Sequence, residues 1–362
     1  MNHKVRVIAF YLPQYHPIPE NDKWWGKGFT EWTNVGKAKP LFKGHYQPKV
    51  PADLGYYDLR VPEIRKAQAE LAKEYGVEGF LYWHYWFGNG KQLLERPFNE
   101  VLKSSEPDFP FCLGWANHTW RGIYCGIKTK EPLIEQKYGG NKDYENHFYS
   151  VLPAFNDHRY IRIDNKPLFF IHSPLASEEV PVFIDLWQNL AQKNGLNDGI
   201  CFIGNSANET HDIQNVKSIC SYVNVDTLFE FKKRDFSFFD KVRNKINREL
   251  FKIGNVYEYK NAMQYFYSDK IDSKDYFPSI IPNWDHTPRT GSIGNVLNNS
   301  TPKLFYNHAK NIFDKVKEKR IEERIVFLKS WNEWAEGNYV EPDLKYGHGY
   351  LKSLKKAIDD TF

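Results

Sequence analysis

The feature that most limits what this chain can become is an alternation. Short β-branched or aromatic runs are followed, along most of the chain, by segments with helical spacing. The runs that predict strands are 5–15, 79–86, 109–115, 167–172, 200–206, 222–231, 279–286 and 325–331. Helical spacing marks 62–75, 91–103, 144–155, 182–192, 302–319 and 350–360. In the first of these Ile64, Ala67, Leu71 and Tyr75 share a face, and Gly76 supplies the stop. Strands that alternate with helices pair in parallel through right-handed crossovers. Eight such units predict an α/β chain closed into a (β/α)8 TIM-type barrel, with residues 1–362 forming a single catalytic domain. A doubly wound open sheet is the alternative. The barrel is favoured because polar and aromatic residues gather after nearly every strand, at one face. The absence of a Gly-x-Gly-x-x-Gly after the first strand, and of a phosphate loop, weakens a nucleotide-fold reading.

Two stretches depart from the repeat. Residues 17–51 form a long loop with Trp24, Trp25 and Trp32, too aromatic for a disordered segment. Residues 232–278 form an insertion between strands six and seven, and its 232–260 part holds nine Lys/Arg against four Asp/Glu. Phe239, Val242, Ile246 and Leu250 mark one apolar face of a helix there. A basic amphipathic helix suits peripheral contact with an anionic membrane surface or an acidic partner. The plainer expectation, and the favoured one, is a helix packed on the barrel with its basic face in water.

The net charge of +4 is too small to argue for nucleic acid. Cys112, Cys125, Cys201 and Cys220 include no C-x-x-C, and buried free thiols are expected. With no signal-peptide core after Met1 and no run of 18 apolar residues, the sequence predicts a soluble, cytoplasmic protein.

Chemistry concentrates in Val326-Phe327-Leu328-Lys329-Ser330-Trp331-Asn332-Glu333-Trp334-Ala335-Glu336-Gly337, an apolar run that breaks into carboxylates. If it turns helical after Trp331, Glu333 and Glu336 lie on one face with Cβ atoms about 5–6 Å apart. Retaining glycoside hydrolysis uses carboxyl groups roughly 5–5.5 Å apart. A solvated acidic turn is the plain alternative, and the neighbouring Trp331, Asn332 and Trp334 argue against it. Aromatic residues make up 17% of the chain, with 11 Trp and 23 Tyr, whose flat faces and polar tips suit sugar rings. The strand ends offer Tyr11 and His16, then Trp83, His84 and Tyr85, then Trp115 and Asn117, then Trp284 and Asp285, and finally Asn332 and Trp334 as substrate contacts. The four tryptophans among them serve equally well as core. Asp226 and Asp285 are candidate auxiliary carboxylates. No His-x-x-x-His pair occurs, so His16, His84, His118 and His286 read as hydrogen-bonding groups, with no metal and no cofactor expected. A Gly-x-Ser-x-Gly elbow is also missing.

The runs Ile8-Ala9-Phe10-Tyr11-Leu12-Pro13-Gln14-Tyr15-His16-Pro17, Gly28-Phe29-Thr30-Glu31-Trp32, Tyr82-Trp83-His84-Tyr85-Trp86-Phe87, Glu95-Arg96-Pro97 and Trp331-Asn332-Glu333-Trp334-Ala335-Glu336-Gly337 resemble the WbsX-type proteins. These are described as glycosyltransferases of lipopolysaccharide and capsule gene clusters and are similar to family 99 glycoside hydrolases. The resemblance implies a (β/α)8 barrel. It also implies retaining, endo-type cleavage of α-mannosides through a 1,2-anhydro sugar. Glu333 would then deprotonate the sugar 2-hydroxyl and Glu336 would act as general acid/base. One departure stands out: the family's usual Asn-Glu-Asn-Trp is Asn117-His118-Thr119-Trp120 here, which removes a carboxylate. The leading expectation is therefore a family 99-like retaining hydrolase acting on an oligosaccharide or polysaccharide. The alternatives are a glycosyltransferase of O-antigen or capsule biosynthesis and a non-catalytic glycan-binding protein.

Overall fold

The computed structural model describes residues 4–122, 131–206, 212–234, 238–268 and 273–362. Eight strands form its centre: β1 (Arg6–Tyr11), β2 (Gly79–Trp86), β3 (Phe111–Trp115), β4 (Lys166–Ile171), β5 (Cys201–Ser206), β6 (Tyr222–Val225), β7 (Tyr276–Ile280) and β8 (Ile325–Leu328). Each pairs in parallel with the next, and β8 returns to β1 with Val7 opposite Val326 and Ile8 opposite Phe327. The ring is closed, so the barrel is the one expected and no barrel strand is left as an edge. Strands buried on both faces read as nearly unbroken apolar runs, which is why β1, β3 and β8 are buried at every position.

The outer layer is α1 (Pro62–Glu74), α2 (Arg96–Ser104), α3 (Asn141–Phe155), α4 (Glu179–Lys193), α5 (Asp212–Ile219), α6 (Pro302–Val316) and α7 (Gly349–Asp359). Helix α6 begins as its sequence suggests: Thr301 accepts from the Leu304 amide and Pro302 occupies the first turn. Helix α4 turns Phe183, Trp187 and Ala191 inward, and the Trp187 indole donates to the Tyr144 carbonyl at 3.0 Å. Helix α5 has no counterpart among the expected helices, because eight residues give too little periodicity to recognise.

Strand boundaries moved where the backbone found other partners. β7 lies earlier than the expected 279–286. The Ile281 amide donates to His308 Nε2 at 3.1 Å and Pro282 has no amide to give, so the ladder stops. β6 ends at Val225, where Asp226 accepts from the Leu228 amide and turns the chain.

Inside the barrel Phe10 stacks on Trp83 with centroids 5.0 Å apart, and Phe170 and Phe327 close around them at 5.3 and 5.5 Å from Phe10. These rings plug the interior, and a cavity lies against Phe10, Trp83 and Phe170. Gly114 makes room for that packing, since a Cβ there would sit 2.4 Å from Leu81 Cδ2.

The connection from β6 to β7 replaces the regular helix with the insertion. It holds a helix, Phe238–Ile246, continued by a wider turn, Asn247–Phe251, and a strand, Asn255–Glu258, paired in parallel with Asn295–Asn298. Leu228, Phe231, Tyr259 and Phe266 form its core together with Trp284 and Leu297 from the loop after β7. The expectation that the helix packs its apolar face on the barrel does not hold: Val242, Ile246 and Leu250 are exposed. Phe239 lies among residues whose side chains are not described.

Cys112, Cys201 and Cys220 are buried and free, while Cys125 lies outside the described residues. Among the described residues no helix is long and apolar enough to cross a membrane, and no group of three or more His, Cys, Asp or Glu is placed to hold a metal ion.

Candidate active site

A cavity of about 500 Å³ opens at the carboxyl ends of the strands. Its floor is the aromatic plug of Phe10, Trp83 and Phe170, and Trp25, Tyr85, Trp120 and Trp284 stand in its walls. Its charged groups are Glu31, Asp226, Arg289, Lys329, Glu333 and Glu336, with Arg121 at the margin.

The acid pair is presented by a short, heavily pinned turn. Beyond β8 the Trp331 amide donates to the Phe10 carbonyl at 2.8 Å. Asn332–Glu333 then pairs antiparallel with Asn338–Tyr339, and Trp334–Glu336 makes one 3₁₀ turn that Gly337 ends at φ +54°. In a 3₁₀ turn residues three apart eclipse, so Glu333 and Glu336 reach the same guanidinium. A side chain at Gly337 would meet Asp285 Cβ at 2.7 Å, which suits the turn to glycine for a second reason.

That guanidinium is Arg289, from the short helix Thr287–Thr290 after β7. Its Nε donates to Glu31 Oε2 at 3.1 Å, its Nη2 to Glu333 Oε2 at 3.2 Å and its Nη1 to Glu336 Oε1. One cation thus ties the loop after β1 to the turn after β8. His286 Nε2 stands 3.6 Å from Glu336 Oε1.

Burial, together with the charge of Glu336, pushes the Glu333 carboxyl up to about 8 even though Arg289 pulls the other way. Burial acts on Glu336 too, but Arg289, and to a lesser degree the neighbouring His286, outweigh it and hold that carboxyl down near about 2. The two surroundings thus favour the proton on Glu333 over Glu336. The roles implied by resemblance have the opposite starting state, with Glu333 ionised and Glu336 protonated.

Across the cavity Lys329 donates to Asp226 and lies 5.8 Å from the Trp284 ring centroid. His118 and His172 stand side by side with ring centroids 5.0 Å apart. Burial lowers both, His172 to about 3, so this wall is neutral where the family's usual residue at position 118 would bring a charge.

Of the residues expected to bind substrate, Trp83, Tyr85 and Trp284 line the cavity with Glu333 and Glu336. The other eight lie outside it. Phe10 and Leu12 face inward, so Tyr11 faces out and its hydroxyl donates to Gln68 at 2.7 Å. Trp83 and Tyr85 face inward, so His84 faces out to His147, with Nε2 atoms 2.8 Å apart. His16 folds its Nδ1 onto the Pro13 carbonyl at 3.0 Å. The Trp115 indole donates to the Trp86 carbonyl, and Asn117 bridges to the Ser173 backbone, donating to its carbonyl and accepting from its amide. Asn332 clamps Leu12 by accepting from its amide at 2.7 Å and donating to its carbonyl at 3.1 Å. The Trp334 indole donates to Glu341 at 2.6 Å and stacks on Tyr339. Asp285 is sequestered beneath the rim. Burial would raise its pKa, but hydrogen bonds from His45 and Thr287 and the charge of Lys49 bring it to about 2.

Sequence reasoning had not assigned Arg289, Lys329 or Glu31 a role. Lys329 was visible inside the strand-eight run, and Arg289 follows His286 by three residues. Glu31 sat in one of the motifs that carry the resemblance.

The fold and site together are a closed parallel barrel with an acid pair, a bridging arginine and tryptophan walls at its carboxyl rim, where barrels of this kind carry their sites. The chain belongs to the WbsX family: the family model described as Glycosyltransferase WbsX matches residues 7–354. Two curated relatives, each named Uncharacterized protein WxcX, come from Xanthomonas campestris pv. campestris strains B100 and ATCC 33913. Each is 32% identical over 355 residues, covering 97% of this chain and 49% of the relative. The chain therefore spans about half the length of these relatives. Among solved structures, the GH99 endo-alpha-mannosidase from Bacteroides thetaiotaomicron in complex with BIS-TRIS-Propane is similar in fold. Its TM-score is 0.58 at 15% identity, over 98% of this chain and 97% of that one. A second structure of that enzyme gives 0.56 at 17%, with the same coverage of both chains.

Proposed function

We propose that the protein is a glycosyltransferase that adds a sugar to a hydroxyl of a surface polysaccharide, in O-antigen or capsule biosynthesis, using this cavity as its active site. The observation that carries this reading is the Arg289 clamp on both carboxyls, which favours the ionised form of Glu336 while burial favours the protonated form of Glu333. An ionised, partly accessible carboxylate is a general base, suited to take the proton of an acceptor hydroxyl as it attacks the donor sugar. The protonated Glu333 supplies a hydrogen-bond donor for oxygens that gain charge as the donor bond breaks. Arg289 and Lys329 supply N–H donors at the cavity for the donor's oxygens, although both are already paired with carboxylates. The family's description as a glycosyltransferase agrees with this assignment.

The second reading is a retaining endo-hydrolase of α-mannosides with participation of the sugar 2-hydroxyl. Two carboxylates three residues apart that share one guanidinium support it, and it requires substrate binding to move the proton from Glu333 to Glu336. The two readings separate in one assay. The protein is incubated with oligosaccharide acceptors and a panel of nucleotide-sugar donors, and in parallel with α-linked mannooligosaccharides in water, with products read by mass. Acceptors one sugar heavier, formed only with a donor, support transfer. Cleavage without a donor replaces it with the hydrolase.

A further inference from the structure

We propose that the outward face of the insertion is a contact surface for an anionic lipid bilayer. Val242, Ile246 and Leu250 follow one another at intervals of four, so they share a face of the helix Phe238–Ile246 and the turn that continues it. They are 40%, 42% and 73% exposed, and the adjoining Phe251 is 65% exposed. Single exposed apolar residues are ordinary on a protein surface. Four within ten residues, two of them large and mostly uncovered, form a patch that calls for an occupant.

Charge decides which occupant. From 242 to 252 the chain carries Arg243, Lys245, Arg248 and Lys252 against one acid, Glu249. Leu and Phe flanked by Lys and Arg suit a bilayer interface, where the acyl boundary takes the apolar side chains and headgroup phosphates attract the cations. A second copy of this chain would bring the same cations against each other, which disfavours self-association through this face.

The surface is anchored. Asn244 donates to the Tyr257 hydroxyl at 3.4 Å, and Tyr257 belongs to the strand paired with Asn295–Asn298. Trp284, from the loop after β7, packs in the insertion's core and also lines the cavity, so the insertion rests against the back of one cavity wall. Bilayer binding rests on exposure and charge, and is read independently of whether the cavity transfers or hydrolyses.

The test is flotation of the full chain with vesicles of phosphatidylcholine alone and of phosphatidylcholine mixed with phosphatidylglycerol, at low and high salt. The chain is expected to float with the anionic vesicles only and to be released as salt rises. Leu250→Ser with Phe251→Ser, and separately Lys245→Glu with Lys252→Glu, should each weaken partitioning roughly tenfold or more. An unchanged thermal transition would show that both variants still fold. Failure to float with anionic vesicles, or flotation of both double variants equal to wild type, would overturn the proposal. So would concentration-dependent self-association of the wild type, in vesicle-free solution, that the serine variant abolishes, since the face would then belong to a second copy.

Discussion

Glu333 and Glu336 lean on a single guanidinium, yet one carboxyl is pushed up to about 8 and the other held near about 2. The asymmetry comes from their surroundings. Glu336 also faces His286, while Glu333 is the more enclosed of the two and sees another carboxylate, Glu31, as well as Glu336. Two acids of one residue type are thereby given opposite proton affinities.

Glu336→Gln keeps the shape of the turn and removes its negative charge. Transfer should fall by about 10²–10⁴-fold, the usual contribution of a positioned general base. Initial rates with saturating donor, read by mass, check this, and wild-type rates in the variant would remove Glu336 from the chemistry.

The proton on Glu333 gives the rate an alkaline limit. As pH rises through about 8 the group loses its proton, and kcat/KM should decline there. A pH profile of the wild type with a neutral acceptor reads this directly. Glu333→Gln, which cannot titrate, should show no limb at that pH in whatever activity remains.

Arg289→Met removes the strongest influence holding Glu336 low. The Glu336 pKa should then rise, and the acidic limb of the rate should move to higher pH. An acidic limb left in place would mean that Arg289 has no such hold on the base.

Glu341 links proton binding to stability. It is buried beneath Trp334, accepts from Tyr57, Gln68 and the Trp334 indole, and has its pKa pushed up to about 7 by burial despite those hydrogen bonds. Its folded value exceeds its ordinary 4.5, so the folded state binds more proton between the two values. The contribution is fully present below 4.5 and is lost as pH rises through about 7, on the order of 3 kcal/mol. Glu341→Gln imitates the protonated form. Urea midpoints of the variant should fall less over that window than those of the wild type.

Asn332→Ala tests the assignment of that side chain to architecture. It would leave the Leu12 amide and carbonyl without their partner in a buried setting, at a cost of about 2–4 kcal/mol. Urea unfolding measures this, and a loss well under 1 kcal/mol would return Asn332 to the list of substrate contacts.

The barrel was legible because its signal is periodic and repeated. β2 begins and ends where its aromatic run does, and α6 starts at its Thr-Pro cap. The acid pair was legible because carboxylates and tryptophans at the end of an apolar run leave few other readings. The direction of each side chain was harder to see. Tyr11, His84 and Trp115 sit at strand ends beside inward-facing neighbours, and in a strand one residue decides between cavity and outer layer. Asn332 and Trp334 share a motif with the acids, and proximity in sequence disguised their work as clamps. Arg289 escaped notice because its importance is a matter of three partners, Glu31, Glu333 and Glu336, brought together from distant parts of the chain. The apolar side of the insertion helix was visible in the sequence, but its exposure was not, since periodicity reports a face without saying what covers it.

The seam where β8 lies between β7 and β1 has a consequence for how the molecule comes into being. The first strand finds its second neighbour only among residues made more than three hundred positions later, and the acid pair arrives with that same segment. A chain emerging from the ribosome thus carries most of the cavity's walls and floor before the segment that bears Glu333 and Glu336 can slot home. Closing the ring and seating the Glu333–Glu336 turn are thus one event.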